Sequence, residues 1–245
     1  MKTPKYQKRF YRNWVYAKNL YKEEIIVKET DLQILTDKPL DKVFALRKVK
    51  FYRDKIEEYI NYKDRRFLTS LKPIEVESTA HKIVKEMANQ AKKANVGPMA
   101  AVAGAIAQFL GRDLLHRGYR DVIVENGGDI FLKVSKPIKV GLYSGGAKIL
   151  NRLSLKIKPR DTPLGICASS GTVGHSLSFG CADSAVILSK NPILADAVAT
   201  ACANRIHGKR DLNKAIDFVR SIKGIRGAVI VLKNNLASWG SLEFA

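Results

Sequence analysis

The sequence predicts an α+β fold. Three observations carry that prediction. The second half strings short β-rich apolar runs between glycine- and asparagine-bearing turns that suit antiparallel strands. Complete helix start and stop signals interrupt those runs, and an alanine-rich segment with glycines seven residues apart reads as one buried central helix. The chain has 245 residues and is 46% hydrophobic, ample for a packed core. Its three cysteines, Cys167, Cys181 and Cys202, form neither a disulfide framework nor a zinc-binding spacing. One domain over residues 1–245 is expected, with residues 1–73 as a basic N-terminal part and residues 74–245 as the core that carries the candidate site.

Taken in order, residues 9–17 are rich in Tyr, Phe, Trp and Val, and residues 24–28 and 32–35 follow as strands around a turn at Thr30-Asp31. Residues 40–62 read as a helix that turns Val43, Leu46, Val49, Ile56 and Ile60 to the core. After Pro73, Ser78 is the expected N-cap of a second helix running through Ile83, Val84, Met87 and Ala91. Gly97-Pro98 then breaks the chain and opens the alanine-rich helix, which reaches about residue 116 and carries Ala100, Ala101, Ala103, Ala105 and Ala107. Glycine inside a helix costs ~1 kcal/mol relative to alanine, so Gly104 implies a compensating close approach of another backbone.

Beyond it, strands at residues 122–125 and 129–134 flank Asn126-Gly127-Gly128, a pattern for a tight hairpin. Residues 138–143, 153–157, 164–167 and 184–188 supply further strands. Asn191 caps and Pro192 begins a helix that Gly208 ends. A helix at residues 212–222 leads to a closing hairpin, residues 228–232 and 237–244, through Asn234-Asn235.

Lys and Arg number 43 against 23 Asp and Glu, a net charge of +20. The surplus is denser before Pro73 but present throughout, and no zinc finger, RNA-recognition signature or unbroken basic block accompanies it. Such a diffuse positive field attracts small phosphorylated ligands as readily as polymers. The expected partner is therefore a small phosphorylated ligand, and nucleic acid is the lesser alternative. No apolar run approaches the ~20 residues that span a bilayer, and the basic, aromatic start has no apolar leader region. The reading is a cytoplasmic protein without a membrane partner.

Three segments concentrate the chemistry. In VENGGDI, Gly127 and Gly128 let backbone N–H groups approach an anion, while Glu125, Asn126 and Asp129 offer ribose, base or metal contacts. The plain alternative is an ordinary two-glycine turn, in which case Gly128→Val is expected to damage folding through the positive φ it forbids. Residues 165–180 supply Ser169, Ser170 and Thr172 with Gly171 freeing backbone donors, a pattern that invites phosphate without being a Walker loop or a nucleophile elbow. His175 stands in the same loop, and both a structural and an acid/base role are open.

The third segment is helical, and it places Asp196, Thr200, Asn204 and His207 along one stripe of an alanine-rich cylinder. No Lys, Arg or Glu occurs within residues 191–204, so that face favours short polar groups. Asp196 and Thr200, one turn apart, could hold Mg²⁺, which takes few protein oxygens and completes its shell from water and phosphate. On this reading Asp196→Ala abolishes metal-dependent binding and leaves the fold intact.

In order, VGPMAAVAGAIA, VENGGDI, SSGTVGHSLSFG and ADAVATA, with Tyr11, Arg12 and Trp14 near the start, resemble the ApbE superfamily, and more closely an ApbE-like branch of archaea and bacteria. The superfamily's best-known members are FAD:protein FMN transferases. The resemblance implies a T-fold-like ApbE architecture, an antiparallel sheet with packed helices enclosing a flavin nucleotide. It further implies Mg²⁺ held by the residues matching Asp196 and Thr200, helped by a main-chain carbonyl between Gly104 and Ala107, with FAD or FMN as the ligand and an acceptor protein as partner. Two departures stand out. Gln108 replaces the family lysine, and the family's His-x-x-Asp-Pro stretch is absent, leaving His175 as the candidate substitute. The expected function is binding of a flavin or other pyrophosphate-containing nucleotide with Mg²⁺, with transfer or hydrolysis; the alternative is a non-catalytic module for a small anionic metabolite.

Overall fold

The computed structural model describes residues 15–16, 19–142, 153–170 and 180–245. The first part contains β1 (Val15–Tyr16), β2 (Tyr21–Val27), β3 (Thr30–Thr36), α1 (Lys42–Tyr62), α2 (Arg66–Thr69) and α3 (Lys82–Ala94). A 3-10 turn (Pro98–Ala101) leads into α4 (Val102–His116). Then come β4 (Val122–Asn126), β5 (Asp129–Lys133), β6 (Ile138–Gly141), β7 (Ser154–Ile157), β8 (Leu164–Ser169) and β9 (Ser184–Ser189). The remainder is α5 (Pro192–Ala203), α6 (Asp211–Ser221), β10 (Ile225–Leu232) and β11 (Asn235–Gly240).

Eight strands make one sheet in the order β11-β10-β9-β8-β5-β4-β3-β2, and β1, β6 and β7 make a smaller one. Every pairing in both sheets is antiparallel, the α+β class the turn signals imply. Period-two alternation gives the large sheet two apolar faces. Val122, Val124, Phe131, Cys167 and Ile187 face a helical layer, whereas Ile123, Ile130, Leu132, Ile166 and Val186 pack with Val140 and Leu155 of the small sheet.

α4 and α5 form the heart of the helical layer. A Cβ on Gly104 would lie 2.6 Å from the Pro192 carbonyl oxygen and 2.9 Å from Asp196 Cβ, so α5 passes against α4 with no room for a side chain. The close approach implied by an interior glycine is present. On α5 every residue is buried except Thr200, which is half-buried and marks where the helix opens toward solvent.

Several elements differ from their sequence expectations for identifiable reasons. The β2–β3 turn falls at Lys28-Glu29 rather than Thr30-Asp31, because Val27 pairs with Thr30 and Lys28 accepts the left-handed conformation, φ 52°. On α1, Val49, Ile56 and Ile60 face inward as expected, but Val43 is 78% exposed and Leu46 lies outside too. Tyr52 and Tyr59 are buried instead, and the Tyr52 hydroxyl donates to Asp113 Oδ2 on α4 at 2.6 Å. α3 is capped by His81, whose Nδ1 accepts the Ile83 N–H at 3.3 Å, while Ser78 lies outside it and its carbonyl accepts from Lys85.

α5 stops at Ala203, well before Gly208, so His207 leaves the predicted stripe. Tertiary contact ends it: Gly180 packs on the Ala203 carbonyl, and the Cys181 N–H donates to the Ile206 carbonyl at 2.7 Å. The last strand ends at Gly240 rather than residue 244, and the closing turn is Lys233-Asn234. Cys167, Cys181 and Cys202 are all free. Among the described residues, no single helix is long and apolar enough to cross a membrane.

Candidate functional site

The β4–β5 hairpin turns at Gly127 (φ 66°) and Gly128 (φ 105°), left-handed angles that favour glycine. Its pleat then divides the predicted VENGGDI set. Asn126 and Asp129 are paired across the hairpin and lie on the helical face, with Cys167 and Ser169 of β8 on that same face. Glu125 lies on the opposite face, where it is paired with Gln33, and it accepts the Gly128 N–H at 2.8 Å. Ser169 is buried, Ser170 follows the end of β8, and Gly171, Thr172 and His175 lie outside the described residues.

Over Asn126 and Asp129 sits the start of α4. Its N-cap residue is Ala101, which has no side-chain acceptor for the free N–H groups of the first turn. Asp196 of α5 supplies that acceptor from outside. Its Oδ2 accepts the Gly104 N–H at 2.8 Å, and the Ala103 N–H contributes as well. The Asn126 Nδ2 donates to the Ala103 carbonyl at 3.2 Å. β4, α4 and α5 are thereby joined at one peptide. Asp196 therefore has a structural task beside any chemical one, and Asp196→Ala no longer reads as neutral for folding.

Two buried acids meet beneath this joint. Burial first, and then the neighbouring Asp196 charge, push the Asp129 carboxyl well above the usual range, against the Cys167 thiol and the Ala168 N–H. Burial likewise raises Asp196 to about 7, with the Gly104 and Ala103 N–H groups acting in the other direction. The Cys167 thiol is pushed well up by burial and by Asp129, and its Sγ donates to the Pro192 carbonyl at 3.3 Å, so it is a protonated neighbour rather than a nucleophile.

Both acids bind their protons more tightly in the folded chain than in the unfolded one. The unfolded chain releases these protons near pH 4, whereas the folded chain holds them to higher pH, so the pair withdraws stability as pH rises from about 4 through 7. Asp129→Asn is expected to raise the thermal midpoint of the metal-free protein more at pH 8 than at pH 5. A gain independent of pH in paired melts would show that Asp129 is not buried as a costly carboxylate.

Buried polar atoms without a hydrogen-bond partner are rare in native folds, and each calls for an occupant or a reason. Among the side chains of the described residues there are five such atoms: Asp129 Oδ1, Ser169 Oγ, both amide atoms of Gln108, and Arg53 Nε. Four of them belong to α4, β5 and β8, the segments that surround the acid pair. The donor set suits a hard cation: Asp129 has a spare carboxylate oxygen, Asp196 lies near it, and the Thr200 hydroxyl follows one turn along α5. No trio of His, Cys, Asp or Glu converges into a closed cage among the described residues, and Mg²⁺ needs none, because it keeps several waters and takes phosphate oxygens. Sequence reasoning did not foresee the Asp129–Asp196 pairing. The signal was present in the alternation of Asn126 and Asp129 against Glu125, but it becomes legible only once the facing layer is known.

Comparison with known proteins follows the same lines. The sequence matches a family model described as AbpE bacteria over residues 12–237. The UPF0280 protein of Methanococcus vannielii is 39% identical over 229 residues, covering 91% of this chain and 92% of its own. The UPF0280 protein of Methanocella arvoryzae is 40% identical over 216 residues, covering 88% and 87%. Among solved structures, the flavin transferase ApbE of Vibrio cholerae superposes with a TM-score of 0.59 at 12% identity over 91% of this chain and 97% of its own. The ApbE protein of Thermotoga maritima gives 0.61 at 13% over the same shares. At such identities the likeness to the solved structures is one of fold.

Proposed function

The chain belongs to the family described as AbpE bacteria, and from that premise we propose that it binds a flavin nucleotide, or another nucleotide with a pyrophosphate, together with Mg²⁺, and acts on the pyrophosphate. The observation that carries this reading is the concentration of unpartnered buried polar atoms around the acid pair at the start of α4. Asp196 and Thr200 are the proposed metal ligands, as the family resemblance implies, and Asp129 joins them because its Oδ1 has no other partner. The bound cation would neutralise charge on the pyrophosphate oxygens.

This chain's own residues supply the rest. The N–H groups of Ala103 and Gly104 hold Asp196 in place, and α5 and β8 exclude water beneath it. Gln108, buried where the resemblance expects lysine, offers an amide rather than a charge. Ser169, Ser170, Gly171 and Thr172 are the proposed phosphate contacts, the Gly128 turn lies against Ala168 directly before Ser169, and His175 is the proposed acid/base residue. Cleavage of the FAD pyrophosphate releases AMP and hands FMN to an acceptor hydroxyl, on a protein in the transfer reaction or on water in hydrolysis.

Incubation with FAD and MgCl₂, followed by chromatography of the nucleotides, tests the reading. Release of AMP that EDTA abolishes supports it. Bound FAD recovered intact with every metal tried would favour the non-catalytic module, and no binding of FAD at all would overturn the reading.

A further inference from the structure

α4 begins without a lock of its own. Its N-cap is Ala101, which offers no side-chain hydrogen bond, yet its first turn must stay in register for the Ala103 and Gly104 N–H groups to reach Asp196. Two side chains from elsewhere grip that turn from opposite ends of its peptides. Asp196 accepts from the N–H side at 2.8 Å, and Asn126 donates to the Ala103 carbonyl at 3.2 Å. Asn126 is only 6% exposed, and its backbone is fixed between Leu32 on β3 and Asp129 on β5, directly before the two-glycine turn. The sheet thus holds Asn126 rigid, and Asn126 holds the peptide.

We propose that Asn126 is a positioning residue for the candidate metal site: through the Ala103 carbonyl it sets the α4 donors that orient Asp196. The proposal rests on the reading of Asp196 as a metal ligand. Groups hydrogen-bonded to a metal ligand typically change metal affinity by 10- to 100-fold when removed, and Asn126 holds one such group, the Gly104 N–H, through the peptide it shares with the Ala103 carbonyl. Asn126→Ala deletes the donor, and Asn126→Ser keeps a polar side chain too short to reach the carbonyl.

Two measurements on the full chain separate the proposal from the reading beneath it. Mn²⁺ titration is expected to show binding in the wild type and at least tenfold weaker binding in both variants, with β-sheet circular dichroism unchanged. Hydrogen exchange, which needs no metal, is expected to speed up at least tenfold at the Ala103 and Gly104 amides while the amides of Leu110 to Leu114 keep their rates. Unchanged exchange at Ala103 and Gly104 overturns the positioning role whatever the metal does. Faster exchange with Mn²⁺ affinity within twofold of wild type overturns its link to the metal site. If the wild type binds no Mn²⁺, the metal reading fails and the proposed link falls with it, and the exchange rates alone decide whether Asn126 positions the α4 turn.

Discussion

Asp196→Asn is expected to leave the protein folded and to lower its affinity for Mg²⁺, and for FAD in the presence of Mg²⁺, by more than a hundredfold. The amide keeps an oxygen that accepts the Gly104 N–H, so the cap on α4 survives while the charge does not. The variant also removes a carboxyl that burial raises to about 7, so its stability above that pH is expected to equal or exceed the wild type. Asp196→Ala loses both, and the missing cap costs about 1–2 kcal/mol on the scale of other N-cap deletions. Calorimetric titration alongside urea denaturation distinguishes the two substitutions. Metal binding undiminished in Asp196→Asn would remove Asp196 from the ligand set and with it the main support for pyrophosphate chemistry.

Gly104→Ala is expected to destabilise the packing of α4 on α5 despite its conservative size. Helix propensity alone predicts a gain of about 1 kcal/mol, since alanine is the better helix former. Packing predicts the reverse. The new methyl would sit 2.6 Å from the Pro192 carbonyl oxygen and 2.9 Å from Asp196 Cβ, atoms of backbone and of a side-chain root that cannot rotate away. The cost of separating α4 from α5 to admit it falls toward the upper end of the ~1–3 kcal/mol that overpacking typically costs, so the packing term wins. Denaturant midpoints measure the sign directly. A stabilised variant would show that the two helices are not held in contact here, and Asp196 would then lose its fixed donors as well.

The same joint shows how much of the molecule is written in local sequence. Asn191 and Pro192 announce the start of α5 because caps obey short-range chemistry, and the Asn191 Oδ1 does accept the Ile193 N–H at 3.1 Å. Gly127 and Gly128 announce their turn because positive φ is a property of the residue itself. α1 resisted because its inward face is chosen by partners: Tyr52 is drawn in by Asp113, while the apolar Val43 is left outside. The end of α5 resisted because Gly180 and Cys181, distant in sequence, set it.

Sequence by itself determined the α+β class, the position of most strands along the chain, the buried alanine-rich helix and the family, since each follows from periodicity, turn chemistry or motif order. Tertiary structure alone decided which polar groups meet. The pleat of β4 sends Asn126 and Asp129 to one face and Glu125 to the other, and the α4–α5 contact at Gly104 brings Asp196 onto the donors of a helix that lacks its own cap. A strand's period says that neighbours part, but only the packed layers say what each one then faces.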